Sequence, residues 1–69
     1  MITLTIGRYI ENALENGEIS ANQVCVFYDK NNNIKWLGKA EFYPLYLDWE
    51  KLVRMEKVGN ELRFNEREV

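Results

Sequence analysis

Residues 24–42 read VCVFYDKNNNIKWLGKAEF, two runs of β-strand composition on either side of three asparagines. Val24–Asp29 and Ile34–Phe42 are rich in β-branched and aromatic residues, which favour strands. Asn31 and Asn32 tolerate the positive φ that a tight hairpin turn demands. Pro44 ends the second strand because proline cannot donate to a ladder. The stretch therefore predicts a β-hairpin.

A two-residue loop at Asn31-Asn32 fixes the register of this hairpin. One face then pairs Phe27 with Trp36 and Cys25 with Gly38, and the other pairs Val26 with Leu37 and Tyr28 with Lys35. Both faces are apolar, whereas one helix can cover only one of them. Either the C-terminal part of the chain wraps over the second face, or an apolar patch on that face is exposed for a partner or a second copy.

Upstream of the hairpin, the hydrophobic period changes from two to 3.6 residues. Met1–Ile6 alternates between apolar and polar side chains, which predicts a short strand. Ile6, Ile10, Ala13 and Leu14 then fall on one stripe of an amphipathic helix. Asn16-Gly17 ends this helix, since glycine supplies the left-handed residue of a C-terminal cap.

Downstream of Pro44, two interpretations compete. Apolar spacing allows a helix over Pro44–Lys57, but Val53–Phe64 also forms a hairpin around Gly59-Asn60, with Met55 opposite Phe64 and Glu56 opposite Arg63 as an ion pair. We prefer the hairpin, with a short irregular or single-turn segment at Pro44–Glu50. The sequence thus predicts one small α+β domain over residues 1–69, with the order β-α-β-β-β-β. Its N-terminal amphipathic helix packs on a small, mainly antiparallel sheet.

Composition restricts the chemistry that is available. A chain of 69 residues has a marginal core and needs good packing or a partner. Cys25 is the single cysteine and there is no histidine, which excludes internal disulfides, the common zinc frameworks and Cys–His catalysis. We expect no cofactor, no metal, no catalytic residue and no enzyme activity.

Two short motifs resemble ligand sites but have simpler explanations. Asp29-x-Asn31-x-Asn33 matches the first ligands of a calcium loop, but the required glycine and bidentate glutamate are replaced by Ile34 and Ala40. Aspartate and asparagine are also ordinary turn residues. Gly38-Lys39 lacks the other positions of a phosphate-binding loop. We interpret both motifs as structural.

The informative feature is a cluster of aromatic residues around Pro44. It contains Phe42, Tyr43, Tyr46 and Trp49. Either these side chains cover the end of the core or they form a protein-binding surface, since tyrosine and tryptophan dominate interface hot spots. The two interpretations are compatible if Phe42 and Trp49 point inward while Tyr43 and Tyr46 point outward. Asp48 and Glu50 lie in the same segment and are interpreted as solvated charges.

These observations predict a non-catalytic protein-binding module. The predicted partner-binding residues are Tyr43, Tyr46, Val26 and Leu37, and a second candidate is the acidic face built from Glu11, Glu15 and Glu18. A structural homo-oligomer is one alternative. Weak nucleic-acid binding is another, through Lys30, Lys35, Lys39 and Trp36. The net charge of −2 argues against the latter.

The order of motifs resembles that of short proteins from bacteriophages and integrative elements. The pattern comprises a brief strand, a Thr-Ile-Gly-Arg-Tyr-Ile helix start, a valine-rich strand ending in Tyr-Asp, and Trp36-Leu37-Gly38-Lys39. Most such proteins have no assigned activity. The resemblance implies a mobile-element accessory protein that binds and inhibits or adapts a host enzyme, such as a nucleic-acid or defence enzyme.

The sequence also bears on location. No apolar stretch approaches the ~18 residues of a membrane span, and the N-terminus lacks the features of a secretory signal. One unpaired cysteine suits a reducing compartment. We therefore expect a cytoplasmic protein without membrane contact.

Overall fold

A computed structural model describes residues 4–66, which form one helix, four strands and two short 3₁₀-helices. The fold is α+β, as predicted. In chain order the elements are α1 (Ile6–Glu15), β1 (Val24–Tyr28), β2 (Ile34–Lys39), 3₁₀-helices at Ala40–Phe42 and Leu45–Trp49, β3 (Arg54–Val58) and β4 (Glu61–Asn65).

Helix α1 has the bounds that the sequence predicts, and the predicted buried stripe is confirmed except at Leu14. The Thr5 hydroxyl caps its start by accepting a hydrogen bond from the Arg8 amide at 3.2 Å. Gly17 follows its end with φ +73°, the left-handed conformation of a C-terminal cap. Ile6 and Ile10 are buried, whereas Leu14 is only partly buried at the edge of the core. The helix therefore buries its first two turns most deeply.

The four strands form one mixed sheet in the order β2-β1-β4-β3. The two sequence-adjacent pairs are antiparallel, and β1 and β4 lie parallel at the centre. The predicted first strand, Met1–Ile6, falls partly outside the described residues. Of its remainder, Thr5 forms an isolated antiparallel bridge with Lys51, and the Leu4 carbonyl accepts from the Leu52 amide at 2.9 Å. The chain entering α1 is thus held next to the segment that leads into β3.

The first hairpin has the predicted register over most of its length, with Phe27 opposite Trp36. The prediction is wrong at the turn, where Tyr28 pairs with Ile34 instead of Lys35 across an irregularity in the ladder. The Asn32 amide donates to the Asp29 carbonyl at 3.0 Å, and Asn32 has φ 65°. This is a three-residue loop that ends in a left-handed residue. It shifts the pairing by one residue relative to a two-residue loop, and Lys35 is the extra residue on β2 that restores Phe27 opposite Trp36.

The second strand of this hairpin is also shorter than predicted. It ends at Lys39, where the chain turns into the 3₁₀-helix Ala40–Phe42, and Ala40 is fully buried. The C-terminal hairpin has the predicted register, with Met55 opposite Phe64 and Glu56 opposite Arg63. The Arg63 guanidinium, however, pairs with Glu61 on its own strand at 2.9 Å.

The core lies between α1, the second 3₁₀-helix and one face of the sheet. It contains Ile6, Ile10, Cys25, Phe27, Ala40, Leu47, Leu62 and Phe64. Tyr9 packs edge-on against Phe64, with ring centroids 6.0 Å apart. The C-terminal hairpin joins the same sheet rather than wrapping over the first hairpin, and no helix within residues 4–66 covers the opposite face of the sheet. We call this side the open face.

Candidate binding surface

The chain from Ala40 to Trp49 presents apolar side chains to solvent on a short, ordered scaffold. Within the two 3₁₀-helices, only Ala40 and Leu47 are buried. Residues three apart lie on the same side of a 3₁₀-helix. Tyr46 and Trp49 therefore share one side, directed away from the buried Leu47.

The exposure of this segment is unusually high for large apolar residues. The exposed fractions are 80% for Trp49, 73% for Leu45, 71% for Phe42 and 44% for Tyr46. We call these four residues the aromatic surface. The arrangement in which Phe42 and Trp49 point inward is wrong; Tyr43 instead is partly buried and packs against the core. The smaller side chains of Ala40 and Leu47 are the ones that this segment contributes to the core.

Several contacts fix the position of the aromatic surface. The Ile6 amide at the start of α1 donates to the Glu50 carbonyl at 2.8 Å. Leu47 is fully buried in the core. Gly7 lies against Asp48 so closely that a Cβ at position 7 would be 2.9 Å from the Asp48 nitrogen. The apolar side chains are thus displayed on a segment that is anchored to the helix and the core.

Acidic groups border this surface. The pKa of Tyr43 is raised, first by burial and then by the negative charges of Asp48 and Glu11. Tyr43 thus connects the segment to the predicted acidic face of α1. There Glu11 and Glu15 are exposed, and Glu18 is exposed just beyond the helix end. The aromatic surface and the acidic face are therefore neighbours.

The four predicted partner-binding residues do not form one surface. Tyr46 belongs to the aromatic surface, whereas Leu37 lies on the open face with 57% of its surface exposed. Val26 is only 2% exposed, because it sits on a central strand between its register partners Leu37 and Arg63. Its assignment to a contact surface is therefore wrong.

The basic and aromatic residues suggested for nucleic-acid binding are also separated. The Lys35 Nζ lies 3.9 Å from a carboxylate oxygen of Glu50 and 3.9 Å from one of Glu66. It also lies 5.1 Å from the centroid of the Phe27 ring, on the core side of the sheet. Trp36 packs partly buried over Gly38. Lys30 lies in the turn and Lys39 at the far end of β2. This set does not form a continuous groove.

Asp29 acts as a turn residue. Its Oδ1 accepts hydrogen bonds from the amides of Asn31 and Asn33 at 2.8 and 2.9 Å. Such a side-chain bond to nearby amides is characteristic of an Asx-turn. Within residues 4–66, no group of three or more histidine, cysteine, aspartate or glutamate side chains is placed to hold a metal ion.

Cys25 is a structural residue. Its side chain is fully buried, and burial raises the pKa of the thiol to about 11. A thiol with so high a pKa is a poor nucleophile at neutral pH because almost none of it is ionised.

The open face contains a groove that the sequence did not reveal. It has a volume of about 390 Å³ and is lined by Tyr28, Asn32, Arg54, Glu56, Arg63 and Asn65. These residues come from three strands and a turn, brought together by the parallel pairing of β1 with β4. Alternation along β4 places Arg63 and Asn65 on one face, but no local pattern predicts that β1 is their neighbour.

No family model, no curated protein and no solved structure matches the chain. The resemblance to short mobile-element proteins therefore stays a prediction. Within residues 4–66, no helix has the length and apolar content needed to cross a membrane.

Proposed function

We propose that the chain is a non-catalytic protein-binding module that contacts its partner through the aromatic surface. The observation that carries this proposal is the 80% exposure of Trp49 in a segment that Leu47 anchors in the core. Exposing so much apolar area costs solubility and gives no folding free energy in return. Tryptophan and tyrosine on a rigid support lose little conformational entropy when they bind.

The chemistry of the border favours a partner that carries basic side chains. Asp48, Glu11 and Glu41 lie in or next to the elements that carry the aromatic surface. Opposite charges at the rim of an interface accelerate association and select the orientation of the partner. We therefore infer a partner that has an apolar centre with lysine or arginine around it.

A binding role also agrees with the states of the carboxylates that acid–base chemistry would need. The Asp48 carboxylate lies close enough to the Tyr43 hydroxyl to raise its pKa, and Glu50 Oε1 lies 3.9 Å from Lys35 Nζ. Each is already engaged by a neighbour within the fold. The resemblance to mobile-element proteins adds the proposal that the partner is a host enzyme in the cytoplasm.

Affinity capture with paired variants tests the proposal. Tagged wild-type chain and Trp49→Ala, Tyr46→Ala and Leu37→Ala variants are incubated with lysate of the source cells. The account predicts a protein that is retained by wild type and by the open-face control Leu37→Ala, and is lost with Trp49→Ala. Tyr46→Ala should weaken binding by about 1–2 kcal/mol. Equal capture by all four chains contradicts the proposal.

A second copy of the chain is the other occupant that the same experiment distinguishes. Sedimentation of the purified chain over a range of concentrations reports self-association directly. If the wild-type chain forms a dimer and Trp49→Ala dissociates it, the partner at the aromatic surface is a second copy of the chain rather than a different protein. A monomer at all concentrations leaves the surface for a different protein.

A further inference from the structure

The groove on the open face is a second, independent site. Its floor consists of side chains that lie side by side on neighbouring strands: one row is Tyr28, Asn65 and Arg54, and the next is Arg63 and Glu56. The turn that contains Asn32 closes one end of the groove. The volume of about 390 Å³ falls within the range of small-molecule sites. The groove lies across the sheet from the core and is not part of the aromatic surface.

Two guanidinium groups give the groove its chemistry. The Arg63 guanidinium contacts Glu61 Oε1 through two of its nitrogens, Nε at 3.0 Å and Nη2 at 2.9 Å. These two contacts fix the orientation of the guanidinium plane. Among residues 4–66, no carboxylate lies within ion-pair distance of Arg54. Arginine donates paired hydrogen bonds that match phosphate oxygens. Arg54 is therefore the side chain available to an anionic ligand.

The other lining residues suit a planar ring with polar edges. Tyr28 provides an aromatic ring on the open face, and an exposed or half-exposed ring is a platform for base stacking. The Asn65 side chain donates from Nδ2 to Asn32 Oδ1 at 3.3 Å, which positions both side-chain amides at the end of the groove. Glu56 adds an acceptor for amino groups.

The charge of the chain is distributed unevenly between its two sides. The open face carries three basic side chains (Lys39, Arg54, Arg63) and two acidic ones (Glu56, Glu61), a net charge of +1. The chain as a whole has a net charge of −2. The excess of acidic residues therefore lies elsewhere, and the net charge of the whole chain does not describe the charge of the open face.

We propose that this groove binds a nucleotide unit, with the base against Tyr28 and the phosphate on Arg54. The unit is either a free nucleotide or one link of a single-stranded nucleic acid, which share this chemistry. The proposal does not depend on the protein-binding role of the aromatic surface.

A titration followed by amide chemical shifts tests this proposal. The probes are adenosine monophosphate, a six-nucleotide single-stranded oligoadenylate and inorganic phosphate, each added to the full chain. We expect the two nucleotide probes to shift the amides of β1, β3 and β4 around Tyr28 and Arg54. If the oligoadenylate binds more tightly than adenosine monophosphate and its binding depends steeply on salt, the ligand is a single-stranded nucleic acid. If the two probes bind with equal affinity per nucleotide, the ligand is a free nucleotide.

Matched variants identify the groups responsible. Arg54→Ala should weaken binding by about tenfold or more, whereas Arg8→Ala, which removes an exposed guanidinium from α1, should have no effect. Tyr28→Phe keeps the ring and should bind, whereas Tyr28→Leu should not. Three outcomes would each overturn the proposal. The nucleotide probes cause no shifts at millimolar concentration, Arg54→Ala leaves the shifts unchanged, or inorganic phosphate causes the same shifts with the same affinity.

Discussion

The backbone of Asp48 lies against Gly7, so that a Cβ at position 7 would be 2.9 Å from the Asp48 nitrogen and 3.0 Å from its Cα. The Asp48 carboxylate occupies the same space. This contact lets the second 3₁₀-helix approach α1 closely enough for Leu47 to reach the core, and it thereby positions Tyr46 and Trp49 outside.

Gly7→Ala tests this contact by the sign of its effect. In an open helix position the change would stabilise the fold by up to about 1 kcal/mol, because alanine has the higher helix propensity. Here overpacking against Asp48 should dominate and lower the free energy of unfolding by about 1–3 kcal/mol. Urea denaturation measures it, with exposed Arg8→Ala as a control that should change little. A stabilised Gly7→Ala variant would show that the helix and the 3₁₀-helix are not in contact.

Leu47 and Trp49 form a matched pair within one 3₁₀-helix. Leu47→Ala removes a fully buried side chain and should cost about 2–5 kcal/mol, which for so small a domain approaches complete unfolding. Trp49→Ala removes a larger but exposed side chain and should stay within about 0.5 kcal/mol of wild type. Thermal denaturation of the two variants compares them. A larger loss for Trp49→Ala than for Leu47→Ala would place the tryptophan in the core.

Asp29 should stabilise the first hairpin without binding calcium. Asp29→Ala removes the acceptor of two amide hydrogen bonds and should lower the free energy of unfolding by about 1 kcal/mol. Asp29→Asn retains a side-chain acceptor and should lose less. Calorimetry with calcium is expected to give only heats of dilution. Saturable calcium binding that disappears in Asp29→Ala would refute the assignment of Asp29 as a turn residue.

Burial of the Cys25 thiol predicts a loss of stability in alkali. The unfolded thiol loses its proton near the ordinary pKa of 9.0 and the folded one near 11, so between these values the folded state binds more protons. The free energy of unfolding should therefore fall as pH rises from about 9 to 11, by on the order of 2 kcal/mol. Urea denaturation across this range measures the fall, and Cys25→Ala should reduce it. The same pH dependence in both chains would contradict the account.

Local patterns predicted the helix and most of both hairpins. The stripe from Ile6 to Ala13 and the pairing of Met55 with Phe64 each depend on residues close in sequence, where side-chain period and turn residues restrict the alternatives. The bulge at Tyr28 was missed because the side chain of Asp29 stabilises a three-residue loop that the asparagines alone do not specify.

The sites depended on information that local patterns lack. Pairing of β1 with β4 joins Tyr28 to Asn65 across a long chain separation, and only this pairing creates the groove. At the aromatic surface, composition identified the segment but not the direction of its side chains. Large apolar residues normally point inward, whereas Trp49 and Phe42 point outward while Leu47 and Ala40 occupy the core.

Fluorine resonances of 5-fluorotryptophan incorporated at Trp36 and Trp49 test the central claim most directly. Trp36→Phe assigns the two signals, and the shift between H₂O and D₂O reports the solvent contact of each ring. The account predicts a large solvent shift for Trp49 and a smaller one for Trp36 in the isolated chain. It also predicts that the captured partner selectively suppresses the Trp49 shift. A Trp49 ring that is shielded in the monomer, or that stays fully solvent-exposed in the complex, would contradict the assignment of the aromatic surface as the protein-binding site.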